Sequence, residues 1–155
     1  MPRKITSPVL GALKFHRSDG SYSVAMDHKG AEISLHFLCQ TDDAIQRFVP
    51  IAERVWKGRV RYFKAFREYA VSNLLDQLNG FLDCGEEDPP QVTASQLRGM
   101  LKTPFSITFI LSGNEYEDEM FFISGGDDPR LLDHCLAVYF DSQGNITDGE
   151  AVSLF

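Results

Sequence analysis

The chain of 155 residues suits one domain with a substantial core and is too short for two ordinary domains. Its 43% hydrophobic content excludes general disorder, and no run approaches the roughly 18 apolar residues of a membrane span. The net charge of −7 is concentrated in residues 83–155, with 3 Lys/Arg and 14 Asp/Glu, whereas residues 1–41 and 42–82 each sum to +2. This asymmetry disfavours DNA or an anionic membrane as a partner and is compatible with a basic partner.

The cysteines and the N-terminus indicate a cytoplasmic protein. Cys39, Cys84 and Cys135 are odd in number and widely spaced, which favours reduced thiols over a disulfide framework. Residues 1–8 contain two basic residues but no apolar stretch typical of a secretory signal. We therefore expect one domain over residues 1–155 that begins with a flexible segment at residues 1–8.

The first 40 residues predict an antiparallel meander of three strands, at residues 9–16, 21–26 and 31–38. Asp19-Gly20 between alternating runs favours a hairpin, because the tight hairpin turns need positive φ. A two-residue loop there would place Phe15 opposite Val24, and the next turn would place Val24 opposite Ile33. His16 and His36 would then lie on the outer face of the meander, and His28 would lie in a turn.

Residues 41–82 predict two consecutive amphipathic helices on which the strands pack. Thr41, followed by two aspartates, is typical of a helix start, because side-chain oxygens accept from free N–H groups there. Gly58 is expected to divide the helices, and Asn79-Gly80 to end the second. Pro50 should kink the first helix or mark a later start.

Four basic side chains share one stripe of this helical region: Arg54, Lys57, Arg61 and Lys64. Such a stripe could contact phosphate, which makes nucleic-acid binding a candidate function. The alternative is a solvated helix face whose long side chains lie over aromatic rings. The acidic C-terminal half of so small a domain disfavours nucleic acid and suggests that these cations are counter-charges for the sheet.

A short helix and four strands are predicted to follow. Thr93 and Gln96 have the spacing of a capping box, which predicts a helix at residues 94–101 after an acidic loop. From Phe105 the hydrophobic period is two, which predicts strands at 105–111, 115–123, 132–140 and up to about 154. The order of elements predicts an α+β fold in which an antiparallel meander and hairpins pack against the helix pair.

The hairpin at Gly113-Asn114 yields the first site candidates. A two-residue loop would place Ile107 opposite Met120 and Phe105 opposite Phe122. Among the acidic residues after the turn, Glu117 and Glu119 would face solvent and Asp118 would face the apolar side. A buried carboxylate needs a donor or a raised pKa, and raised pKa values collect at functional sites. The alternative is that Asp118 reaches water or a basic helix side chain.

The run Asp133-His134-Cys135 supplies the other candidate. Adjacent side chains on a strand point to opposite faces, so His134 cannot activate Cys135. We expect Cys135 in the core and His134 at the surface or an interface. The sequence contains neither a phosphate-binding glycine loop nor a Cys-x-x-Cys or His-x-x-x-His pair, so no cofactor and no metal are expected.

Aromatic residues accompany the acidic residues of the C-terminal half, and Phe121 and Phe122 are neighbours that must point to opposite faces of one strand. Exposed aromatic rings rimmed by carboxylates suit a protein interface. Equally, helices can cover both faces of a central strand.

Several short motifs resemble the domain of unknown function 2262 family, which is uncharacterised and mostly bacterial. They extend from about residue 9 to 152 and are Leu10-Gly11-Ala12-Leu13, Lys29-Gly30, Tyr69-Ala70, Leu74-Leu75, Thr93-Ala94-Ser95-Gln96-Leu97, His134-Cys135-Leu136-Ala137-Val138 and Gly144. The chain departs from the family pattern at Asp133, where Gly is usual, and at Phe81, where Trp is favoured. The resemblance implies the fold and no catalytic residues, because none are established for the family.

Two functions remain open. The first is a non-enzymatic protein-binding domain, immunity- or antitoxin-like, that binds a basic partner through its acidic, aromatic C-terminal sheet. The second is a small, hydrolase-like enzyme with a site around Asp118 or His134. The candidate binding residues are Asp118, His134, Glu117 and Glu119, and no membrane partner is expected.

Overall fold

A computed structural model of the protein describes residues 4–38, 42–83, 91–110, 120–126, 128–131, 134–141 and 143–153. The N-terminal strands are β1 Thr6–Ser7, β2 Gly11–Ala12, β3 Lys14–Phe15, β4 Tyr22–His28 and β5 Ala31–Leu38. The helices are α1 Asp42–Lys57, α2 Arg59–Asn73, α3 Leu75–Leu82 and α4 Ala94–Met100. The C-terminal strands are β6 Ser106–Ile110, β7 Phe121–Gly125, β8 His134–Phe140 and β9 Ile146–Ser153, with a 3₁₀ turn at Pro129–Leu131.

Seven strands form one sheet in the order β3-β4-β5-β6-β7-β8-β9. Neighbouring strands are antiparallel except β5 and β6, which are parallel. Parallel neighbours need a long crossover connection, and the segment that contains α1 to α4 provides it. The predicted α+β fold, antiparallel hairpins packed against helices, is confirmed.

The helices cover one face of this sheet. Every second residue of the central strands is enclosed, as Ile33, Leu35 and Phe37 of β5 show with 0% exposure. Tyr62 of α2 meets Phe121 edge-on, with ring centroids 5.6 Å apart, and the ring of Phe66 is also fully buried. The core therefore lies between the helix layer and one side of the sheet.

Three aromatic side chains of α2 lie over glycines of the C-terminal region: Tyr62 over Gly144, Phe66 over Gly125 and Tyr69 over Gly149. A Cβ atom at Gly149 would lie 2.6 Å from the ring of Tyr69, and one at Gly144 would lie 2.8 Å from the Tyr62 hydroxyl. Helix α2 thus approaches the strands more closely than side chains at these positions would permit.

The division of the helical region is partly as predicted. Gly58 separates α1 from α2, and Pro50 lies inside α1, which is continuous from Asp42 to Lys57. The second predicted helix is two helices, because the chain leaves the helical path at Leu74, whose N–H still bonds to Ala70. The sequence has neither glycine nor proline at this break.

The expected stop at Asn79-Gly80 is wrong, since α3 continues to Leu82. Leu78 and Leu82 are fully buried, so their packing offsets the cost of a helical glycine. The Asn79 side chain instead holds the next segment, because its amide donates to Val92 O at 3.0 Å and accepts from Val92 N at 2.8 Å.

The predicted capping box of the short helix is confirmed. The Thr93 hydroxyl accepts from Gln96 N at 3.1 Å, and the Gln96 side chain accepts from Thr93 N at 2.9 Å. These reciprocal bonds satisfy two N–H groups that a helix start leaves free. Helix α4 ends at Met100, one residue before the predicted end.

The predicted strand at residues 9–16 is divided between β2, which pairs with β1, and β3, which joins the main sheet. Part of the N-terminal segment that the sequence marks as flexible is packed: Thr6–Ser7 forms β1, and Ile5 is 5% exposed. The Ser7 hydroxyl donates to Glu53 of α1 at 2.7 Å. The β1–β2 hairpin is therefore attached to the helix layer.

Both registers predicted for the meander are wrong by two residues. Phe15 pairs with Tyr22 rather than Val24, and Val24 pairs with Leu35 rather than Ile33. A shift of two residues keeps every side chain on its predicted face, whereas a shift of one would have reversed it. The apolar face of the meander is consequently as expected.

The turns explain these shifts. Asp19 accepts bonds from Ser21 N at 2.9 Å and from the Ser21 hydroxyl at 2.7 Å, which makes the first loop longer than two residues. Lys29 and Gly30, with φ of 54° and 86°, form the two-residue turn of the next hairpin. His28 therefore lies in β4 and is buried, rather than in a turn as predicted.

The register of the β6–β7 hairpin is wrong by three residues. Ile107 pairs with Ile123 rather than Met120, and Phe122 pairs with Thr108 rather than Phe105. A shift by an odd number of residues moves every side chain of the returning strand to the other face. Phe122 therefore lies on the face away from the helices. The assignment of Asp118 to the apolar face rested on the predicted register, and residues 111–119, which include Glu117, Asp118 and Glu119, lie outside the described residues.

Candidate functional site

The sheet face that points away from the helices is called the open face. Strand alternation and pairing assign it these residues: Lys14, Ser23, Ala25, Asp27, Glu32, Ser34, His36, Leu38, Ser106, Thr108, Ile110, Phe122, Ser124, Cys135, Ala137, Tyr139, Asp148, Glu150 and Val152. The centre of this face is made of small side chains, and Ser106, Thr108 and Ser124 are buried. Cys135 is buried on this face, which confirms the prediction of a small buried residue.

An aromatic-acid cluster of Phe122, Tyr139, Asp148 and Glu150 lies on the open face of the C-terminal strands. The half-buried rings of Phe122 and Tyr139 have centroids 5.2 Å apart and are tilted by 46°. The Tyr139 hydroxyl donates to Glu150 at 2.9 Å, and Asp148 is the cross-strand neighbour of Tyr139. Apolar ring surface thus adjoins two exposed carboxylates.

Strand β9 is an edge of the sheet, and side chains occupy some of its outward N–H groups. Ala151 N donates to Gln77 of α3 at 3.1 Å, and Gly149 N donates to Asp148 at 2.8 Å. An edge whose donors are already bonded is a poor template for an added strand. Two N–H groups of this edge are thus already bonded within the chain.

His134 begins β8 on the helix-covered side, where its ring stacks on Phe81 at 5.2 Å and 16°. Its Nδ1 atom is buried and has no hydrogen-bond partner within the described parts of the chain. Cys135 points to the opposite face, as predicted for adjacent strand residues. The structure therefore places His134 beside an aromatic ring of α3. The other predicted site residues, Glu117, Asp118 and Glu119, lie outside the described residues.

A second group on the open face, the hairpin cluster, consists of Lys14, His16, Asp19, Ser23 and His36. His16 Nε2 lies 2.6 Å from Ser23 Oγ. Lys14 and His36 are the cross-strand neighbours of Ser23 on its two sides. Sequence reasoning placed His16 and His36 on this face, and its register set His16 opposite Ser23. The same register set Ser23 opposite Ser34 rather than His36, because the β4–β5 pairing was two residues out.

Electrostatics within the hairpin cluster keep one imidazole neutral. Burial, followed by the charge of His16, lowers the pKa of His36 below its ordinary value of 6.5, and Asp19 partly opposes this. The pKa of Asp19 is also lowered, mainly because the Ser21 hydroxyl and N–H donate to its carboxylate, with a contribution from His16. The Asp19 carboxylate therefore lies within electrostatic reach of the His16 ring.

His28 forms a further histidine contact, on the helix-covered face. Its Nδ1 accepts from Arg59 Nε at 2.9 Å, and its ring meets Phe63 edge-on at 5.2 Å. The Arg59 guanidinium lies 4.4 Å from the centre of the Trp56 ring. Burial, and then the charges of Arg59 and Lys29, lower the pKa of His28, so its neutral form joins the hairpin to the helices.

The basic stripe of α1 and α2 is exposed at Arg54, Lys57, Arg61 and Lys64. Arg61 donates to the Tyr62 hydroxyl at 3.1 Å, and its guanidinium lies 4.9 Å from the centre of that ring. This contact fits the alternative of a solvated helix face whose long side chains lie over aromatic rings. The sequence predicted that Arg61 is a counter-charge for the sheet, and this contact with Tyr62 differs from that role.

Three further observations concern the described residues. Among them, no group of three or more His, Cys, Asp and Glu side chains could hold a metal ion. A depression of about 280 Å³ lies on the β4–β5 hairpin and is lined by Ala25, Met26, Asp27, Gly30 and Glu32. No helix in the described ranges has the length and apolar character needed to cross a membrane.

Comparison with known proteins identifies a family. No curated protein and no solved structure matches the chain. A family model described as "Uncharacterized protein conserved in bacteria (DUF2262)" matches residues 7–150, which is nearly the whole chain. The chain therefore belongs to the DUF2262 family, as its motifs suggested.

Proposed function

We propose that the protein is a protein-binding domain whose aromatic-acid cluster binds a basic partner. The observation that carries this proposal is the pair of half-buried rings, Phe122 and Tyr139, beside the exposed carboxylates of Asp148 and Glu150. Aromatic residues are enriched in protein interfaces, and they dominate binding energy when a partner encloses them. The two carboxylates would select a partner that presents Lys or Arg.

Charge distribution supports a basic partner on this side of the molecule. Exposed acidic residues of the open face are Asp27, Glu32, Asp148 and Glu150, against Lys14 among the described strand positions. The outer surface of α1 and α2 carries the basic stripe. A cationic protein would therefore be attracted to the open face and repelled by the helices, which orients its approach.

An immunity- or antitoxin-like role is the specific form of this proposal. Proteins of that kind neutralise a cationic partner by covering it, and they need a complementary surface rather than a catalytic group. The net charge of −7 on 155 residues and the open face together suit such a role. The proposal specifies that the partner is a basic protein and does not identify that protein.

The test is affinity capture from cells that naturally contain the protein, followed by titration with the purified partner. We expect one stoichiometric basic protein that dissociates as salt concentration rises, because screening weakens exposed charge pairs. Tyr139→Ala should weaken its binding at least about tenfold, the effect of removing one interface anchor.

A matched pair of charge variants distinguishes the open face from the helices. Glu150→Gln and Asp76→Asn each remove one exposed negative charge, the first from β9 and the second from α3. Only Glu150→Gln should weaken binding and reduce its salt dependence. Equal effects of both variants, a partner insensitive to salt, or no stoichiometric partner would count against the proposal.

A further inference from the structure

The hairpin cluster contains a serine and a histidine in the arrangement of a nucleophile and its base. Ser23 Oγ and His16 Nε2 are 2.6 Å apart, and both side chains are half-buried and so remain accessible. A hydroxyl within hydrogen-bond reach of an imidazole nitrogen is the geometric signature of an activated serine. We propose that Ser23, with His16 as its general base, hydrolyses small carboxylic esters.

Activation of Ser23 needs His16 Nε2 as the acceptor, which is the tautomer with the proton on Nδ1. The serine hydroxyl then donates to Nε2, and its proton passes to the imidazole as the oxygen attacks. The imidazolium that forms is stabilised by the negative charge of Asp19, which interacts with His16 in the folded protein. His16, Asp19 and Ser23 lie within one hairpin, on its two strands and their loop.

Two further residues adjoin the position where negative charge would develop. Lys14 and His36 are directly opposite Ser23 on the adjacent strands, and side chains in such pairs have Cβ atoms about 4.5–5.5 Å apart. The Lys14 ammonium and an N–H of His36 can therefore donate to the oxyanion of a substrate attacked by Ser23. Donors placed around a developing oxyanion usually make the largest contribution to this kind of catalysis.

The depression on the same hairpin provides room for the alcohol portion of an ester. Ala25, one of its lining residues, is two positions after Ser23 on the same face, about 6.6 Å along the strand. Asp27 and Glu32 also line it, so a positively charged alcohol portion would be favoured there. The substrate class is thus a small ester with a cationic alcohol group.

The reaction balances with water as the second substrate. The Ser23 oxygen forms a bond to the acyl carbon, the bond from that carbon to the alcohol oxygen breaks, and the proton taken by His16 passes to the departing alcohol. Water then attacks the acyl-serine and gives its proton to His16. The carboxylic acid leaves, and the Ser23 oxygen recovers a proton from His16.

This activity is separate from the proposed protein binding, because the hairpin cluster lies on β3 to β5 and the aromatic-acid cluster on β7 to β9. Failure of one proposal therefore leaves the other intact. Substitutions in either cluster should leave the function of the other unchanged.

The first test is labelling of the folded protein with a fluorophosphonate, which bonds to activated serines with loss of fluoride. We expect one adduct per chain, located on Ser23 by mass spectrometry. Ser23→Ala should abolish the adduct, and His16→Gln should slow labelling about 100-fold, the usual scale of a general base. Ser18→Ala, an exposed serine of the same loop, should label like the wild type.

The second test is hydrolysis of p-nitrophenyl acetate and acetylthiocholine. Wild-type protein should hydrolyse both esters, and His16→Gln should lower kcat/KM for both about 100-fold, because the general base is removed. Asp27→Asn should lower kcat/KM for acetylthiocholine about two- to fivefold, the effect of one exposed charge pair, and leave the neutral ester unchanged.

Several results would overturn the proposal. They are absence of an adduct on wild-type protein that is folded by circular dichroism, an adduct that persists in Ser23→Ala, or equal labelling rates for wild type and His16→Gln. Equal effects of Asp27→Asn on both esters would overturn the assignment of the depression. If Ser23→Ala fails to fold, Ser23→Thr replaces it as the test variant, because threonine keeps the hydroxyl. Ser23→Thr should label more slowly than the wild type.

Discussion

Large aromatic and aliphatic side chains fill the helix-covered face of the sheet, whereas small hydroxyl-bearing side chains occupy the centre of the open face. Phe37, Phe109 and Phe140 are completely enclosed on the first face. On the second face, Ser106 and Thr108 lie between charged and aromatic residues nearer the edges. We therefore expect substitutions on the first face to change stability more than substitutions on the second.

The largest difference should appear when a phenylalanine of the core beneath the helix-covered face is compared with one of the open face. Phe66→Ala deletes a fully buried ring of α2 and should lower the free energy of unfolding by about 3–5 kcal/mol. Phe122→Ala removes a half-buried ring of the open face and should cost less than about 1.5 kcal/mol. Urea unfolding of both variants measures the difference, and similar losses would show that the open face also supports the core.

A smaller effect is expected where α2 lies close to the strands. Gly149→Ala would place a methyl group 2.6 Å from the Tyr69 ring and should destabilise the fold by about 1–3 kcal/mol. Tyr69→Ala in the same chain should recover part of this loss, since the clash then disappears. A double-mutant cycle of thermal or urea unfolding tests this coupling.

Gly80→Ala is the matched control, because nothing lies within 4 Å of the added carbon and Gly80 is inside α3. Alanine has the higher helix propensity, so this variant should gain up to about 1 kcal/mol. Opposite signs for the two alanine variants would support close packing at Gly149. Equal losses would instead indicate that glycine is needed for some other reason.

The next effect depends on pH. It concerns His28, a buried residue of β4 on the helix-covered face. The pKa of His28 is lowered by folding, so the unfolded chain binds more protons once pH falls below the ordinary value of 6.5. Stability should therefore be complete above about pH 6.5 and decline on acidification. His36, whose pKa is also lowered, contributes with the same sign from the open face.

Unfolding free energies measured between pH 7.5 and pH 5 test this prediction. His28→Gln should flatten the dependence, because its amide does not titrate and can still accept from Arg59. His36→Gln should also flatten it, because the pKa of His36 is lowered in the folded protein as well. A wild-type protein that gains stability on acidification over this range would contradict the assignment.

Features set by neighbouring residues could be predicted from the sequence, whereas contacts between distant parts of the chain could not. Local signals found the elements: Gly58 separated two helices, and Thr93 with Gln96 marked a capping box. The parallel contact between Ser34 and Ser106 joins strands far apart in the chain, so no local pattern announces it. The break at Leu74 was missed because no glycine or proline accompanies it.

Register errors limited the prediction of the site. A two-residue error in the β4–β5 hairpin preserved the faces but concealed that His36 is the cross-strand neighbour of Ser23. A three-residue error in the β6–β7 hairpin placed Phe122 on the wrong face. Composition alone identified an acidic, aromatic C-terminal half, but only strand pairing showed that Phe122 and Tyr139 are neighbours.

The smallest effect on stability is expected within the aromatic-acid cluster. Tyr139→Phe removes the hydrogen bond to Glu150, which is exposed to water, and should change the free energy of unfolding by no more than about 0.5 kcal/mol. The ring remains beside Phe122, so the apolar surface is preserved while Glu150 loses its donor. If the open face is a binding surface, this variant should unfold like the wild type yet bind the basic partner with altered affinity, because the freed carboxylate can pair differently. A large loss of stability would instead assign Tyr139 to the structural core and weaken the distinction between the two faces.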